Sequence, residues 1–316
     1  MGYPLLPMKP SEVIWMDGEL IPWDQAQVHV LSHSLHYGNA VFEGMRAYAT
    51  PAGPALLRLK EHVRRMFRSC AVLDMEIPFS PEEVEQAVVE TVRRNGHESC
   101  YVRPLVFRGA GPLGVLPKGN PIQLIIATWE WDSLHGNEAV ESGVDVCFSS
   151  WRRMAPGTHP SMAKASGNYL NSQLVIQEAV RNGYAEGLVL DVDGYLSEGS
   201  GENLFLVQDG AIVTPPIGNS ILEGITRDMV IQLARELGLE LRERRIPREA
   251  IFFAEELFMT GTAAEITPVR SVDRRPMEGG APGPVTKRLQ EAFFSIVEGR
   301  VPDRHGWLTH TRPASS

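Results

Sequence analysis

The sequence predicts an α+β protein of two domains. Three observations carry that expectation. Helical and hairpin signals are mixed along the chain, and a polar stretch, Asp132 to Ser142, breaks the apolar patterning near its middle. The length of 316 residues also suffices for about two domains at roughly 100–200 residues each. The expected division is a smaller first domain over 1–130, a linker over 131–142 and a larger domain over 143–316.

The elements follow in order. The pattern over 60–73 fits a helix with Val63, Met66, Phe67 and Cys70 inward. Ser80-Pro81-Glu82-Glu83 reads as a helix start: Ser80 caps, Pro81 takes the first helical position and Glu83 closes a capping box. Val84, Ala87, Val88, Thr91 and Val92 then share one face, and Asn95-Gly96 ends the helix. Residues 121–129 read as a buried strand. Beyond the linker, Val144, Val146 and Phe148 alternate with polar residues. Asp193-Gly194 and Asp209-Gly210 each sit between apolar runs, the signal of a two-residue hairpin. Helices are expected over 168–182 and 225–237, the second with Ile225, Met229, Val230, Leu233 and Leu237 on one side and Gly238 as its stop. Residues 276–284 form a loop rich in proline and glycine.

Composition excludes several classes. No apolar run reaches the roughly 20 residues of a membrane span. The first residues show neither a secretory signal nor the myristoylation pattern, since position six is Leu6. Cys70, Cys100 and Cys147 are widely spaced, so neither a disulfide framework nor a zinc site is expected, and a reducing cytoplasm fits. A net charge of −9 with no basic block argues against a nucleic-acid partner.

Three motifs suggest chemistry that their context withdraws. Gly109-Ala110-Gly111-Pro112-Leu113-Gly114 matches the dinucleotide fingerprint of a nicotinamide oxidoreductase. That motif must open a helix, and Pro112 followed by Val-Leu-Pro-Lys-Gly-Asn-Pro reads as a loop instead. His29, His33 and His36 have helical spacing, yet their neighbours read as strand and loop, so no metal site is expected. Arg242 to Arg248 is basic but interrupted by Glu243, which suits a solvated connection from helix to strand.

Lys164 is different. The chain has only five lysines, Lys9, Lys60, Lys118, Lys164 and Lys287. Lys164 alone lies among small residues, in Ser161-Met162-Ala163-Lys164-Ala165-Ser166-Gly167-Asn168-Tyr169, where a planar group can approach the backbone. Burial disfavours a charged amine, which is how a lysine becomes a nucleophile and proton carrier. A pyridoxal phosphate site needs three further parts. Glu198, beyond the Asp193-Gly194 turn, could pair with the pyridine nitrogen. Leu222-Glu223-Gly224-Ile225-Thr226 opens a helix whose N–H groups could take a phosphate, with an arginine assisting. Tyr169 could donate to the ring hydroxyl. Singly, these read equally well as a surface glutamate, a helix start and a core tyrosine, and spacing alone does not assemble them.

Seven strings in order carry a resemblance to a known family. They are Leu35-His36-Tyr37-Gly38; Val41-Phe42-Glu43-Gly44-Met45-Arg46; Tyr101-Val102-Arg103-Pro104; Ala163 to Tyr169; Ser197 to Phe205; Gly224-Ile225-Thr226-Arg227-Asp228; and Gly261-Thr262-Ala263-Ala264-Glu265. From about Trp15 to Trp307 the chain resembles the branched-chain aminotransferases of fold type IV. The D-amino-acid aminotransferases, (R)-amine aminotransferases and aminodeoxychorismate lyases of the same fold differ in these pocket strings.

The resemblance implies a small α/β domain, a linker and a larger pseudo-barrel domain. It implies pyridoxal 5'-phosphate as cofactor, held covalently by Lys164, with Glu198 at the pyridine nitrogen, Tyr169 at the ring hydroxyl and Leu222 against the ring. Arg65, Ile225, Thr226 and Thr262 would bind phosphate, Arg65 being preferred to Arg64. The N–H groups of Thr262 and Ala263 and the Tyr101 hydroxyl would hold the substrate carboxylate. Phe42, Trp131 and Tyr37 would shape the side-chain pocket, Tyr37 from across a dimer interface. The implied reaction is ping-pong exchange between branched-chain amino acids and 2-oxoglutarate. Glutamate must place a carboxylate in an apolar pocket, and Arg103 would meet it there. Relatives often carry a linker tyrosine where this chain has Leu134, which removes one anchor for that arginine.

Overall fold

The computed structural model describes residues 9–131, 134 and 136–312. Expectations about the first eight residues, and about Asp132, Ser133 and His135 of the linker, lie outside the described residues. The chain forms two compact units, one of residues 9–131, 163–167 and 295–312, the other of residues 134–162 and 168–294. This differs from a division at residue 143, because 163–167 and 295–312 join the unit of the N-terminal sheet. The reason is backbone pairing. Lys164 O accepts from Phe42 N at 3.1 Å and Ala40 O from Ser166 N at 2.8 Å.

The first unit is built on an antiparallel sheet. Its strands are β1 (Val13–Met16), β2 (Glu19–Pro22), β3 (Val41–Phe42), β4 (Met45–Tyr48), β5 (Ala55–Leu57), β6 (Cys100–Arg108) and β7 (Ile122–Trp129). Three helices belong to the same unit: α1 (His33–Tyr37), α2 (Leu59–Val72) and α3 (Pro81–Arg94). Ser80 Oγ accepts from Glu83 N and the Glu83 carboxylate from Ser80 N, so the capping box is present. The expected face of α3, Val84, Ala87, Val88, Thr91 and Val92, is buried throughout. It joins Val63, Met66, Val102 and Ile126 in one core.

The second unit holds α4 (Asn137–Ser142), α5 (Tyr169–Arg181), α6 (Ile225–Glu236) and α7 (Pro284–Val297) as far as Phe294. Its sheet holds β8 (Val144–Arg152), β9 (Glu186–Leu190), β10 (Asn203–Gln208), β11 (Ala211–Thr214), β12 (Leu241–Glu243), β13 (Glu256–Gly261), β14 (Glu265–Val272) and β15 (Arg275–Pro276). The order is β12-β11-β10-β13-β14-β8-β9, with β15 on β14. Parallel pairs (β11–β12, β14–β8, β8–β9) stand beside antiparallel ones, as an α+β chain with hairpins and crossovers requires. Asp209 (φ 51°) and Gly210 (φ 72°) make the two-residue hairpin of β10 and β11. Back in the first unit, β16 (Leu308–His310) pairs with β5, giving the order β16-β5-β4-β6-β7-β1-β2 with β3 beside β6.

Other local expectations are corrected. Asp193-Gly194 does not join two strands. Asp191 Oδ1 accepts from the N–H groups of Asp193 and Tyr195, closing a longer turn that ends in a single bridge between Leu190 and Leu196. Part of the polar linker is helical, as α4. Residues 33–37 form a short helix rather than strand or loop, and Arg242 lies in a strand. Among the described residues, no helix is long and apolar enough to cross a membrane.

Candidate active site

In the first unit the chemistry gathers around Lys164 and Phe42. Lys164 sits on a short extended segment pinned from two sides. Its carbonyl accepts from Phe42 N, and its own N–H donates to Ser69 Oγ at 2.9 Å. Its Nζ lies 4.9 Å from the centre of the Phe42 ring. The guanidinium carbon of Arg103 lies 4.7 Å from the same ring. The Phe42 ring thus has both groups within 5 Å of its centre, a distance at which a ring attracts a cation.

Beside them Glu43 is fully buried. Arg65 grips it with two parallel bonds, Nε to Oε1 at 2.7 Å and Nη2 to Oε2 at 2.8 Å. His62 Nδ1 donates to Oε2 at 2.7 Å. Burial alone would raise the Glu43 carboxyl, but the adjacent Arg65 and His62 outweigh it and hold it well below the usual carboxylate range. Burial likewise pushes the His62 imidazole down, against the pull of Glu43.

Strand register places the remaining residues of this group. Tyr101 and Arg103 are two apart on β6 and share a face. Trp129 is the direct partner of Tyr101 on β7. Arg103 Nη2 donates to Tyr101 Oη at 3.2 Å. The Tyr101 ring lies 5.1 Å from Trp129 and 4.8 Å from Trp131. A Cβ on Gly44 would stand 1.9 Å from Tyr101 Oη, so only glycine leaves that hydroxyl its place. Tyr37 is exposed and stacks on His33 at 4.4 Å.

The second unit gathers a different set around Glu198, which is buried at the end of a bridge to Asn203. Its Oε1 accepts from Arg153 Nε at 3.0 Å, and its Oε2 from Asn203 Nδ2 at 3.2 Å and Leu222 N at 3.0 Å. Arg153 also donates to the carbonyls of Gly199 and Ser200. Asn203 in turn donates to Leu222 O at 3.0 Å, tying the carboxylate to the approach of α6. Behind this loop Glu186 accepts from Ser200 N and Oγ. Burial, and then neighbouring Glu202, push the Glu186 carboxyl well above its ordinary value.

The N-terminus of α6 has Gly224 as its N-cap and no side-chain cap. Ile225 and Thr226 follow as buried residues of the first turn, with N–H groups that face no intrahelical carbonyl. A Cβ at Gly224 would meet Asn203 Oδ1 at 1.9 Å. Thr262 and Ala263 lie in the turn joining β13 to β14, and Leu134 N donates to Ala263 O at 2.9 Å. Tyr169 is the first residue of α5.

The structure thus brings Lys164, Phe42, Arg65, Tyr101, Arg103 and Trp131 into one unit, with Tyr37 at its surface. It brings Glu198, Leu222, Gly224, Ile225, Thr226, Thr262, Ala263 and Tyr169 into the other. Sequence reading missed Glu43, His62, Trp129, Arg153 and Asn203. Glu43 and Asn203 stood inside the diagnostic strings, and Trp129 inside a predicted strand. Arg153 had no periodic or motif signal, because a buried arginine is recognised only by its surroundings.

A lysine among small residues, a buried and multiply held carboxylate and a helix N-terminus without a side-chain cap are parts that a pyridoxal-phosphate enzyme of the fold type IV class needs. The model of the amino-transferase class IV family matches residues 40–272. The branched-chain-amino-acid aminotransferase of Escherichia coli is 50% identical over 301 residues, covering 95% of this chain and 97% of that one. Its crystal structure superposes with a TM-score of 0.94 at 49% identity, over 96% of this chain and 100% of that one. The branched-chain aminotransferase of Thermoproteus uzoniensis, solved with norvaline, gives a TM-score of 0.90 at 40% identity, over 96% and 100%. That of Thermobaculum terrenum, solved in its PLP form, gives 0.90 at 37%, over 96% and 99%.

The chain belongs to the amino-transferase class IV family, and within it to the branched-chain-amino-acid aminotransferases. Its cofactor is pyridoxal phosphate. The residues present fit that group. Helix α6 offers uncapped N–H groups to an anion, glycine at its N-cap keeps the approach open, and Glu198 is held as an acceptor for a ring N–H.

Proposed function

We propose that the enzyme reversibly transfers the amino group of L-leucine, L-isoleucine and L-valine to 2-oxoglutarate, giving the branched 2-oxo acids and L-glutamate. The observation that carries this reading is the Phe42 ring, which has the Lys164 amine and the Arg103 guanidinium within 5 Å of its centre. An apolar wall beside the reacting amine suits a branched aliphatic side chain, whose burial is worth about 1.5–3 kcal/mol. A cation on the same wall suits the distal carboxylate of glutamate, which would otherwise cost several kcal/mol to bury.

Bound pyridoxal phosphate supplies an aldehyde that condenses with amines and a ring that accepts electrons as the substrate Cα–H bond breaks. Lys164 holds the cofactor through Nζ. Freed from the cofactor, Nζ would be the base that moves a proton between the substrate Cα and the cofactor. Glu198 would accept a hydrogen bond from the ring N–H and so keep that nitrogen protonated, with Arg153, Asn203 and Leu222 N fixing its two oxygens. Tyr169 donates to the ring hydroxyl, and Leu222 packs on the ring. Arg65, the N–H groups of Ile225 and Thr226, and Thr262 bind the phosphate, with Gly224 leaving it room. Tyr101 accepts from Arg103 and keeps its own proton to donate, so together with the N–H groups of Thr262 and Ala263 it can hold the α-carboxylate. Phe42, Trp131 and Tyr37 shape the side-chain pocket.

The chain acts as a homo-oligomer in the cytoplasm, without nucleic acid or membrane. Val30, Leu35, Tyr37, Val115 and Leu116 are exposed apolar residues on the first unit, with Val115 87% accessible, a stretch that a second copy would cover. The buried thiols of Cys70, Cys100 and Cys147 are pushed up to about 12 by burial and suit a reducing compartment.

Two measurements test the reading. L-leucine added alone to the yellow holoenzyme should bleach its visible band. Bleaching by D-amino acids or simple amines only would overturn the substrate assignment. Arg103→Ala should lower kcat/KM for glutamate by about 100-fold, as for a lost partner of a buried charge, and for leucine far less. Equal losses for both substrates would remove Arg103 from this role.

A further inference from the structure

We propose that Trp129 is a specificity-determining residue. It completes an aromatic cage that holds Arg103 while the side-chain pocket is apolar, and so allows one pocket to accept either leucine or glutamate. The proposal rests on the carboxylate-binding role of Arg103 given above.

Arg103 is unlike the other arginines of the two clusters. Arg65 and Arg153 each grip a glutamate, as does Arg227 on α6. Among the described residues no carboxylate pairs with Arg103. Its one hydrogen bond is to Tyr101 Oη, and its Nε is buried with no partner. The charge is instead surrounded by rings: Phe42 at 4.7 Å, Tyr101 at 5.3 Å and Trp129 at 5.9 Å from the guanidinium carbon. The cage follows from strand register. Tyr101 and Arg103 alternate onto one face of β6, and Trp129 stands opposite Tyr101 on β7. Trp129 is itself fixed by packing against Tyr101 and against Trp131, 6.1 Å away.

A pocket that alternates between an aliphatic side chain and a carboxylate needs a cation that is tolerable without an anion and available when one arrives. A permanent carboxylate partner would satisfy the first need and defeat the second. Ring faces attract a guanidinium more weakly than a carboxylate does, so they hold it against leucine and yield it to glutamate. Tryptophan offers the strongest such face.

The test is a double-mutant cycle on the holoenzyme, with kcat and KM measured for leucine and glutamate. Trp129→Leu keeps apolar bulk and removes the ring. It should lower kcat/KM for leucine about fivefold, mainly through KM, and change glutamate less than about twofold. Trp129→Phe should keep most of the leucine activity. In an Arg103→Ala background, Trp129→Leu should leave leucine kinetics unchanged, because no guanidinium remains to be caged. A fivefold leucine loss that persists without Arg103 would make Trp129 a pocket wall and overturn the cage, while leaving the role of Arg103 intact. Equal loss for both substrates in Trp129→Leu would overturn it also. If Arg103→Ala alone impairs both substrates equally, the underlying reading of Arg103 falls instead. Trp129→Met, which also removes the ring and keeps apolar bulk, applies the same criteria should the leucine variant fail to fold.

Discussion

Glu43 has 0% exposure, so its carboxylate is compensated only by the groups that touch it. Those are Arg65, by two bonds, His62, and the N–H of Gly44 at 3.3 Å. On the proposed binding of the cofactor phosphate by Arg65, Glu43 is a positioning residue that would set the guanidinium before any phosphate arrives. Removing it leaves Arg65 and His62 uncompensated, and Glu43→Ala should cost about 3–5 kcal/mol at neutral pH. The sign of the pH dependence follows from the lowered carboxyl. In acid the unfolded chain takes up this proton first, from the ordinary value of 4.5 downward, so the stabilisation is full above that pH and lost below it. Urea unfolding of both proteins at pH about 7 and about 4 checks this, with the gap expected to narrow in acid. A constant gap would show that packing, not charge, holds the cluster.

Element-scale features were legible where their causes are local. The α3 cap, its proline and its buried face all follow from spacing within four residues, and each is found where the pattern placed it. Losing the cap alone should cost about 1 kcal/mol, so Ser80→Ala is expected to lower the urea midpoint while kcat for leucine stays unchanged. A tenfold loss of kcat would tie this helix start to the site and refute its purely local role. The two Asp-Gly turns show the limit of local reading. Asp209 takes positive φ and closes a hairpin, whereas at Asp193 the carboxylate of Asp191 captures the backbone and the flanking segments form only a bridge. Helix α1 was missed because five residues give no periodic signal.

For the whole molecule, the division of the chain matters more than its length. The N-terminal sheet has β16 as an edge strand beside β5, whose three residues are all buried. The segment carrying Lys164 bonds to residues 40–42 of the same unit. A fragment of residues 1–131 would lack both and expose those groups. It should therefore show no cooperative thermal transition by circular dichroism. A sharp, reversible melt would show that neither returning segment is needed.

The sequence by itself determined that the chain is an α+β protein and the course of α2, α3, α5 and α6, while α7 went unread, and through its resemblance to a family it singled out Lys164 and Glu198. These rest on periodicity, caps and seven ordered strings, which are local in the chain. Only the tertiary structure decided which side chains hold those centres: Arg153 and Asn203 on Glu198, Arg65 and His62 on Glu43, Trp129 over Arg103. Those partners lie from 5 to 45 positions apart. Cross-strand register and the return of distant segments bring them together, and no residue carries in its own neighbourhood a mark of the partner that folding will give it.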